Sequence, residues 1–395
     1  MGATSRPASR GRARGRSPGR ARGRSLGWQL ALACLAACAV AAGCGGSDGG
    51  SSASQGKGHE TIGFLYVGPH NDYGYNQAAY QGSLAVEKAF PDAKVLQAEN
   101  VPETAEAERV MEKMIRDGAT ILFPTSFGHL GPAMNVARRH PDVTFLHMGG
   151  LKNSSNLGTY FGTIYDTQYA VGQAAGLATK TDRLGYVVAF PIAQTLLNIN
   201  AFERGAQSVN PNAKTNVVFT GSWCDPGKQA EATNSLIDQK IDVLEQHQDC
   251  TKTVVQTAER RGALSTGYHA DASSLAPKGW LTGSEWNWGP LMVRMVRTVE
   301  DGTFKGSRYA GLYRAGVPSG VIKLAPYGTA ATPSIRKKVN ATYDRLKSGW
   351  VPFEGPIRDQ SGKIRVPAGV TPNRHQLEST DYLVQGVVGK IPGGA

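Results

Sequence analysis

Hydrogen-bonding and aromatic side chains in this chain gather just after short apolar runs. "TIGFLYVG" is followed by His70, Asn71, Asp72, Tyr75 and Asn76, and "ATILFPTS" leads into Ser126 and Phe127. Later runs deliver His147, Phe190, Trp223 and Asp225, then His247 and Asp249, then Tyr268, His269 and Asp271. "GSEWNWGP" adds Glu285, Trp286, Asn287 and Trp288. Three chemistries could use such a set. Paired acids such as Asp225 and Asp249 could work as general acid and base. His247, His269 and Asp249 could hold a metal, although the short ligand spacings of zinc sites are missing. Aromatic faces could instead clasp a flat ring, gaining about 0.5–1.5 kcal/mol per stacked pair beyond burial, while polar groups read its edge. The catalytic option has little else behind it, since the body contains no GxSxG elbow, HExxH pair, GxxxxGK[ST] loop or GxGxxG fingerprint.

The elements that must position these residues alternate from residue 60 onward. "TIGFLYVG", "AKVLQAENV", "ATILFPTS" and "VTFLHMGG" read as strands, with helical patterns between them. "TAEAERVMEKMIRDG" predicts a helix with Thr104 as N-cap and Gly118 as its stop. After "NLGTYFGTIY" the alternation repeats through "RLGYVVAFP", "KTNVVFTGSW", "IDVLEQHQD" and "ALSTGYHAD". Continuous apolar strands separated by helices imply parallel sheets covered on both faces, joined by right-handed crossovers. Two such runs predict two doubly wound α/β lobes. In open parallel sheets ligands sit beyond the carboxyl ends of the strands, where the residues above fall. Residues 356–395 read as an irregular or hairpin extension packed on one lobe, with "DQSGK" as a turn.

The formal charge of +12 invites nucleic acid as a partner, but its location argues otherwise. Eight arginines lie in the first 26 residues, and residues 1–44 hold no acid. Without them, 35 basic residues face 31 acids, so the body is nearly balanced. The basic block runs into "LGWQLALACLAACAVAAGC", the layout of an export signal; an uncleaved membrane anchor is the other reading of that stretch. Ala41-Ala42-Gly43-Cys44 is similar to a bacterial lipobox, with Cys44 the lipidated residue, and residues 45–59 form a Gly/Ser-rich tether. The expected location is the outer face of the cytoplasmic membrane. Cys224 and Cys250 then remain as an even pair in an oxidising compartment, predicting a disulfide, with two free thiols as the alternative.

Several stretches together resemble the basic membrane protein (Bmp) family, the PnrA-like solute-binding lipoproteins of ABC importers. They are "DYGYNQAAYQG", "GTIYDTQYAVGQAAGLAT", "NINAFERGAQ", "DPGKQAEATNSLIDQKIDVL" and "WLTGSEWNWGP", in that order between about residues 60 and 355. The resemblance implies the type I periplasmic-binding fold, a clamshell that closes on a small solute, here a purine base or nucleoside. It implies a permease partner, no cofactor, no nucleic acid and a monomer. Lobe 1 is expected over 60–162 and about 286–318, lobe 2 over 163–285 and about 319–355. The hinge is expected at 158–165, 281–286 and about 316–323. The expected ligand set, from the strand ends and the resemblance together, is Asp72, Tyr75, Asn76, Ser126, Phe127, Phe190, Trp223, Asp225, His247, Asp249, His269 and Trp286; of these the resemblance itself points to Asp72, Tyr75, Asn76, Phe190 and Trp223. Asp72 equally suits capping of the next helix, Tyr75 packing beneath its own helix, and Trp286 core packing. Met148, Gly149 and His269 stand where nucleoside-binding members tend to have carboxylates, which favours a free base, or another ring compound altogether, over an intact riboside. The other function classes open at this point are a surface receptor or adhesin uncoupled from transport, and a nucleoside-processing enzyme.

Overall fold

Strand β1 (Thr61–Leu65), buried along nearly its whole length, begins a series of strands too apolar to leave a face in water. It is followed by α1 (Tyr75–Ala89), β2 (Lys94–Ala98), α2 (Ala105–Arg116), β3 (Ala119–Pro124), α3 (Leu130–Arg139), β4 (Thr144–Met148) and β5 (Leu157–Gly162). The series then repeats as α4 (Tyr165–Ala178), β6 (Arg183–Val188), α5 (Ala193–Gln207), β7 (Lys214–Phe219), α6 (Pro226–Asp238), β8 (Val243–His247), α7 (Lys252–Arg261), β9 (Leu264–His269) and β10 (Trp280–Trp286). Next come α8 (Gly289–Glu300), β11 (Leu312–Ala315), β12 (Ile322–Leu324) and α9 (Pro333–Lys347). The chain finishes with β13 (Ile357–Arg358), β14 (Ile364–Val366) and α10 (Arg374–Leu377). This computed structural model describes residues 60–393, all within one compact unit spanning Ser52–Ala395. The signal, the lipobox with Cys44 and the tether lie outside the described residues.

Two six-stranded sheets result, ordered β2-β1-β3-β4-β5-β11 and β7-β6-β8-β9-β10-β12. The two orders are the same, and every pairing is parallel except β10 with β12. In lobe 1, α2 and α3 cover one face over Met111, Leu122 and Phe145, and α1 packs on α8. In lobe 2, α6 and α7 cover one face over Leu236, Leu244 and Val254, and α4 packs closely on α5. That close approach needs Gly172 and Gly205, because a Cβ at either would overlap the backbone of the facing helix. The local signals read from the sequence operate as expected at α2: Thr104 accepts a bond from the Glu106 N–H, and Gly118 follows the helix at φ +101°.

The chain passes between the sheets three times, at 163–164, 287–288 and 316–321. The first two passages are shorter than the sequence suggested, since Leu157–Gly162 and Trp280–Trp286 are ordinary strands. The tail forms the expected hairpin: Asp359 accepts bonds from the Ser361 and Lys363 N–H groups and closes the turn between β13 and β14. It reaches further than expected, however. Asn200 of α5 holds it by two bonds of 2.9 Å, to the Tyr382 carbonyl and from the Val384 N–H, and Val388 bonds to Thr215 and Val217 of β7. Its Glu378 crosses to lobe 1, where Arg314 of β11 meets it at 2.8 Å.

Candidate ligand-binding site

In each sheet the strand order reverses beside the first strand, at β1/β3 and at β6/β8, so the connections leaving these strands diverge and open a crevice. The crevices of the two lobes face each other and touch. The Tyr75 N–H donates to the Asp249 carbonyl at 3.1 Å, the Thr251 hydroxyl to the Tyr73 carbonyl at 2.8 Å, and the Tyr75 ring meets the His269 ring edge-on at 5.1 Å. A cavity lies between, walled by Tyr75, Ser126 and Phe127 from lobe 1 and by Trp223, His247, Asp249 and His269 from lobe 2.

Some expected ligand residues build this wall rather than belong to it. The Asp72 carboxylate accepts from the N–H groups of Gly74, Asn76 and Gln77 and from the Asn76 amide, at 2.8–3.0 Å. Asn76 in turn accepts from the Gly68 N–H at 3.1 Å. Both are consumed in capping α1 and pinning the loop, which aims Tyr75 at the cleft and lets its hydroxyl donate to the Thr125 carbonyl. Asp225 likewise caps α6, accepting from the Lys228 N–H at 3.1 Å ahead of Pro226. Phe190 backs Trp223, their ring centroids 5.2 Å apart. Trp286 is fully buried, stacks on Trp288 at 4.4 Å and supports His269 from behind.

The two imidazoles define the electrostatics. Trp286 Nε1 can only donate, and it lies 3.0 Å from His269 Nδ1, so the His269 proton is on Nε2. His247 Nδ1 takes the Asn198 amide at 3.0 Å in the same way. Burial drives the His247 pKa down to about 3 and the His269 pKa well below its ordinary value, with His247 adding to the latter. Both rings are neutral, and the His269 Nε2 is buried without a protein partner. His269 also holds φ +80°, a costly backbone state for a non-glycine residue and one that concentrates at functional sites. Burial, then the negative neighbours Asp72 and Glu103, raise the Asp249 carboxyl well above its usual range. The resulting wall carries N–H donors from two neutral imidazoles, a carboxyl that burial pushes toward its protonated form, and aromatic faces.

A disulfide joins Cys224 and Cys250, with Cα atoms 5.2 Å apart. Strands β7 and β8 are not neighbours, because β6 lies between them. The bridge therefore spans the carboxyl end of β6 and ties Trp223 to Asp249, whose N–H also bonds the Trp223 carbonyl at 2.8 Å.

Three lining residues escaped the sequence reading of the ligand set: Gly149, Phe161 and Gln194. Phe161 is an interior residue of β5 and reads as core; Gln194 opens α5, just beyond the strand end that drew attention to Phe190. Gly149 holds φ +87° where β4 ends, which brings its backbone beside the Phe161 ring. The imidazoles and Asp249 do not make a metal centre: no group of three His, Cys, Asp or Glu residues with suitable geometry occurs among the described residues.

The profile of the Bmp family, described as "ABC transporter substrate-binding protein PnrA-like", matches residues 59–352. The chain belongs to that family. A purine-binding protein of Brucella abortus is 35% identical over 333 residues, covering 84% of this chain and 93% of its relative. A putative ABC transporter glucose-binding protein of Haloferax volcanii is 32% identical over 336 residues, covering 83% and 80%. A crystal structure of an ABC transporter solute-binding protein from Aeropyrum pernix superposes with a TM-score of 0.62 at 18% identity, covering 80% and 94%, and shows the shared fold. Bmp members are solute-binding proteins of importers and work outside the cytoplasm. No helix among the described residues is long and apolar enough to cross a membrane.

Proposed function

We propose that this Bmp-family protein captures a purine base in the cleft between its lobes and hands it to a permease, as a monomer held at the outer face of the cytoplasmic membrane by lipid on Cys44. The observation that carries the reading is the wall of neutral His247 and His269, with Asp249 beside them, set among Phe127, Phe161 and Trp223. A purine edge alternates acceptor nitrogens with N–H or amino donors. Imidazole N–H groups match the former and the Asp249 carboxyl the latter. Neutral imidazoles suit a neutral ring, and the aromatic faces suit its planes. The relatives are named for different ligands, purine against glucose. A hexose presents hydroxyls all round its ring and needs a matching ring of polar partners, whereas Asp72 and Asn76 are spent inside the protein.

Ligand recovery from natively purified protein, analysed by mass spectrometry, tests this directly. Calorimetry with adenine, hypoxanthine, adenosine and glucose should give binding to a base, unchanged after incubation, and His269→Ala should weaken it by about tenfold or more. Binding of glucose with none of any purine would refute the reading.

A further inference from the structure

We infer that the cleft has a second, apolar chamber, closed at its far end by Arg314 and by Glu378 of the C-terminal extension, and that the physiological ligand is a ring carrying a non-polar substituent that enters it. This rests on the purine reading above.

The polar end around His247 and His269 encloses only about 20 Å³, room for little more than the edge of a ring. It opens past Phe127, Gly149, Phe161 and Gln194 into a cavity of about 320 Å³. That is within the size range of complete small-molecule pockets. A dry cavity of about 150 Å³ already accepts a benzene ring, so the larger chamber has space beyond the part of a purine that does not fit the polar end. Its surface is mainly hydrocarbon, from Leu151, Phe161, Ile192 and Leu197. Phe127 and Leu151 stand 40% and 51% exposed at its mouth, apolar surface that a ligand would cover.

The charged groups at the far end are already engaged. Arg314 gives one nitrogen to Glu378 at 2.8 Å, another to the Gly150 carbonyl at 2.8 Å and the third to the Tyr313 carbonyl at 3.2 Å. Its side chain is 5% exposed. A phosphate would find no free cation there, because all three Arg314 nitrogens are taken by protein oxygens. Glu378 lies beyond the 59–352 stretch that matches the family, so one residue of the C-terminal extension helps close the chamber.

The test compares adenine with 6-benzylaminopurine by calorimetry, using the full exported chain and Ala193→Trp, which places an indole in the chamber. The wild type should bind the benzyl compound about tenfold or more tightly than adenine. Ala193→Trp should weaken binding of the benzyl compound far more than that of adenine, by about tenfold or more, and so remove that preference. Equal or weaker binding of the benzyl compound by the wild type would overturn the chamber and leave the purine reading intact. So would a preference that survives in Ala193→Trp with its fold confirmed by circular dichroism. Failure to bind either compound would overturn both.

Discussion

The indole N–H of Trp286 donates to His269 Nδ1 at 3.0 Å, and through that bond a buried tryptophan at the end of one strand decides which nitrogen of a neighbouring strand's imidazole faces outward with its hydrogen. Trp286 therefore acts on the cleft without lining it. Trp286→Phe keeps the stacking on Trp288 but frees the His269 tautomer. Base affinity should fall by about fivefold to tenfold, with about 1 kcal/mol of stability lost. Nitrogen chemical shifts of the imidazoles would show whether the tautomer changes; an unaltered His269 spectrum together with weakened binding would contradict this account.

Asp72 separates capping from contact. Because its oxygens serve the first turn of α1, Asp72→Ala should cost about 1–2 kcal/mol by denaturant titration. Ligand affinity should drop only as far as the Tyr75 loop loosens, by about threefold. A loss of a hundredfold with normal stability would place Asp72 on the ligand after all.

The Cys224–Cys250 bridge closes a loop of 26 residues in sequence separation, worth about 3 kcal/mol in chain entropy. Cys224→Ser with Cys250→Ser should lower Tm by about 4 °C and weaken binding several-fold, since Trp223 and Asp249 lose their common anchor. A calorimetric scan with and without reductant gives the same comparison in the unmutated chain. An unchanged Tm would show that the bridge constrains nothing of consequence.

Buried acids and imidazoles set opposite pH slopes. Burial pushes Glu245 up to about 8 and Glu203 and Asp166 to about 7. Their folded pKa values are raised, so their contribution is full below the unfolded carboxyl range and is lost as pH climbs through 7 to 8. Burial pushes His147 and His247 down to about 3. Unfolding lets these rings take up protons below about 6.5, so stability falls as pH drops from there toward 3. Between roughly pH 4.5 and 6.5 the two trends oppose and Tm should be highest. It should be lower by several degrees at about pH 8.5, with Glu245→Gln removing part of that alkaline loss. A Tm that rises steadily from pH 6 to 8.5 would contradict the assignment.

The sequence carried the alternation of strand and helix, the repeat of the whole pattern and the position of the cleft, because these follow from local periodicity and from where parallel strands end. It also marked His247, Asp249 and His269, at or just past strand ends, and Tyr75, at the start of α1, all of which stand in the wall. It could not tell Asp72 and Asp225 from ligand groups, since a capping carboxylate and a binding carboxylate occupy the same place in the chain and differ only in which way the oxygens turn. Phe161 was hidden by its strand, where any aromatic reads as core. Arg314 and Glu378 were beyond reach for another reason: 64 residues separate them, and nothing local announces a pairing made between a strand of one lobe and the tail.

The tail's last bonds concern the rim of the second sheet. Strand β7 ends that sheet, and a bare outermost strand offers unpaired amides and carbonyls as a template for another chain. Val388 occupies two of those groups, on Thr215 and Val217. A copy truncated before residue 385 would thus expose a sticky margin, and self-association would be its first symptom even while the binding cleft stayed whole.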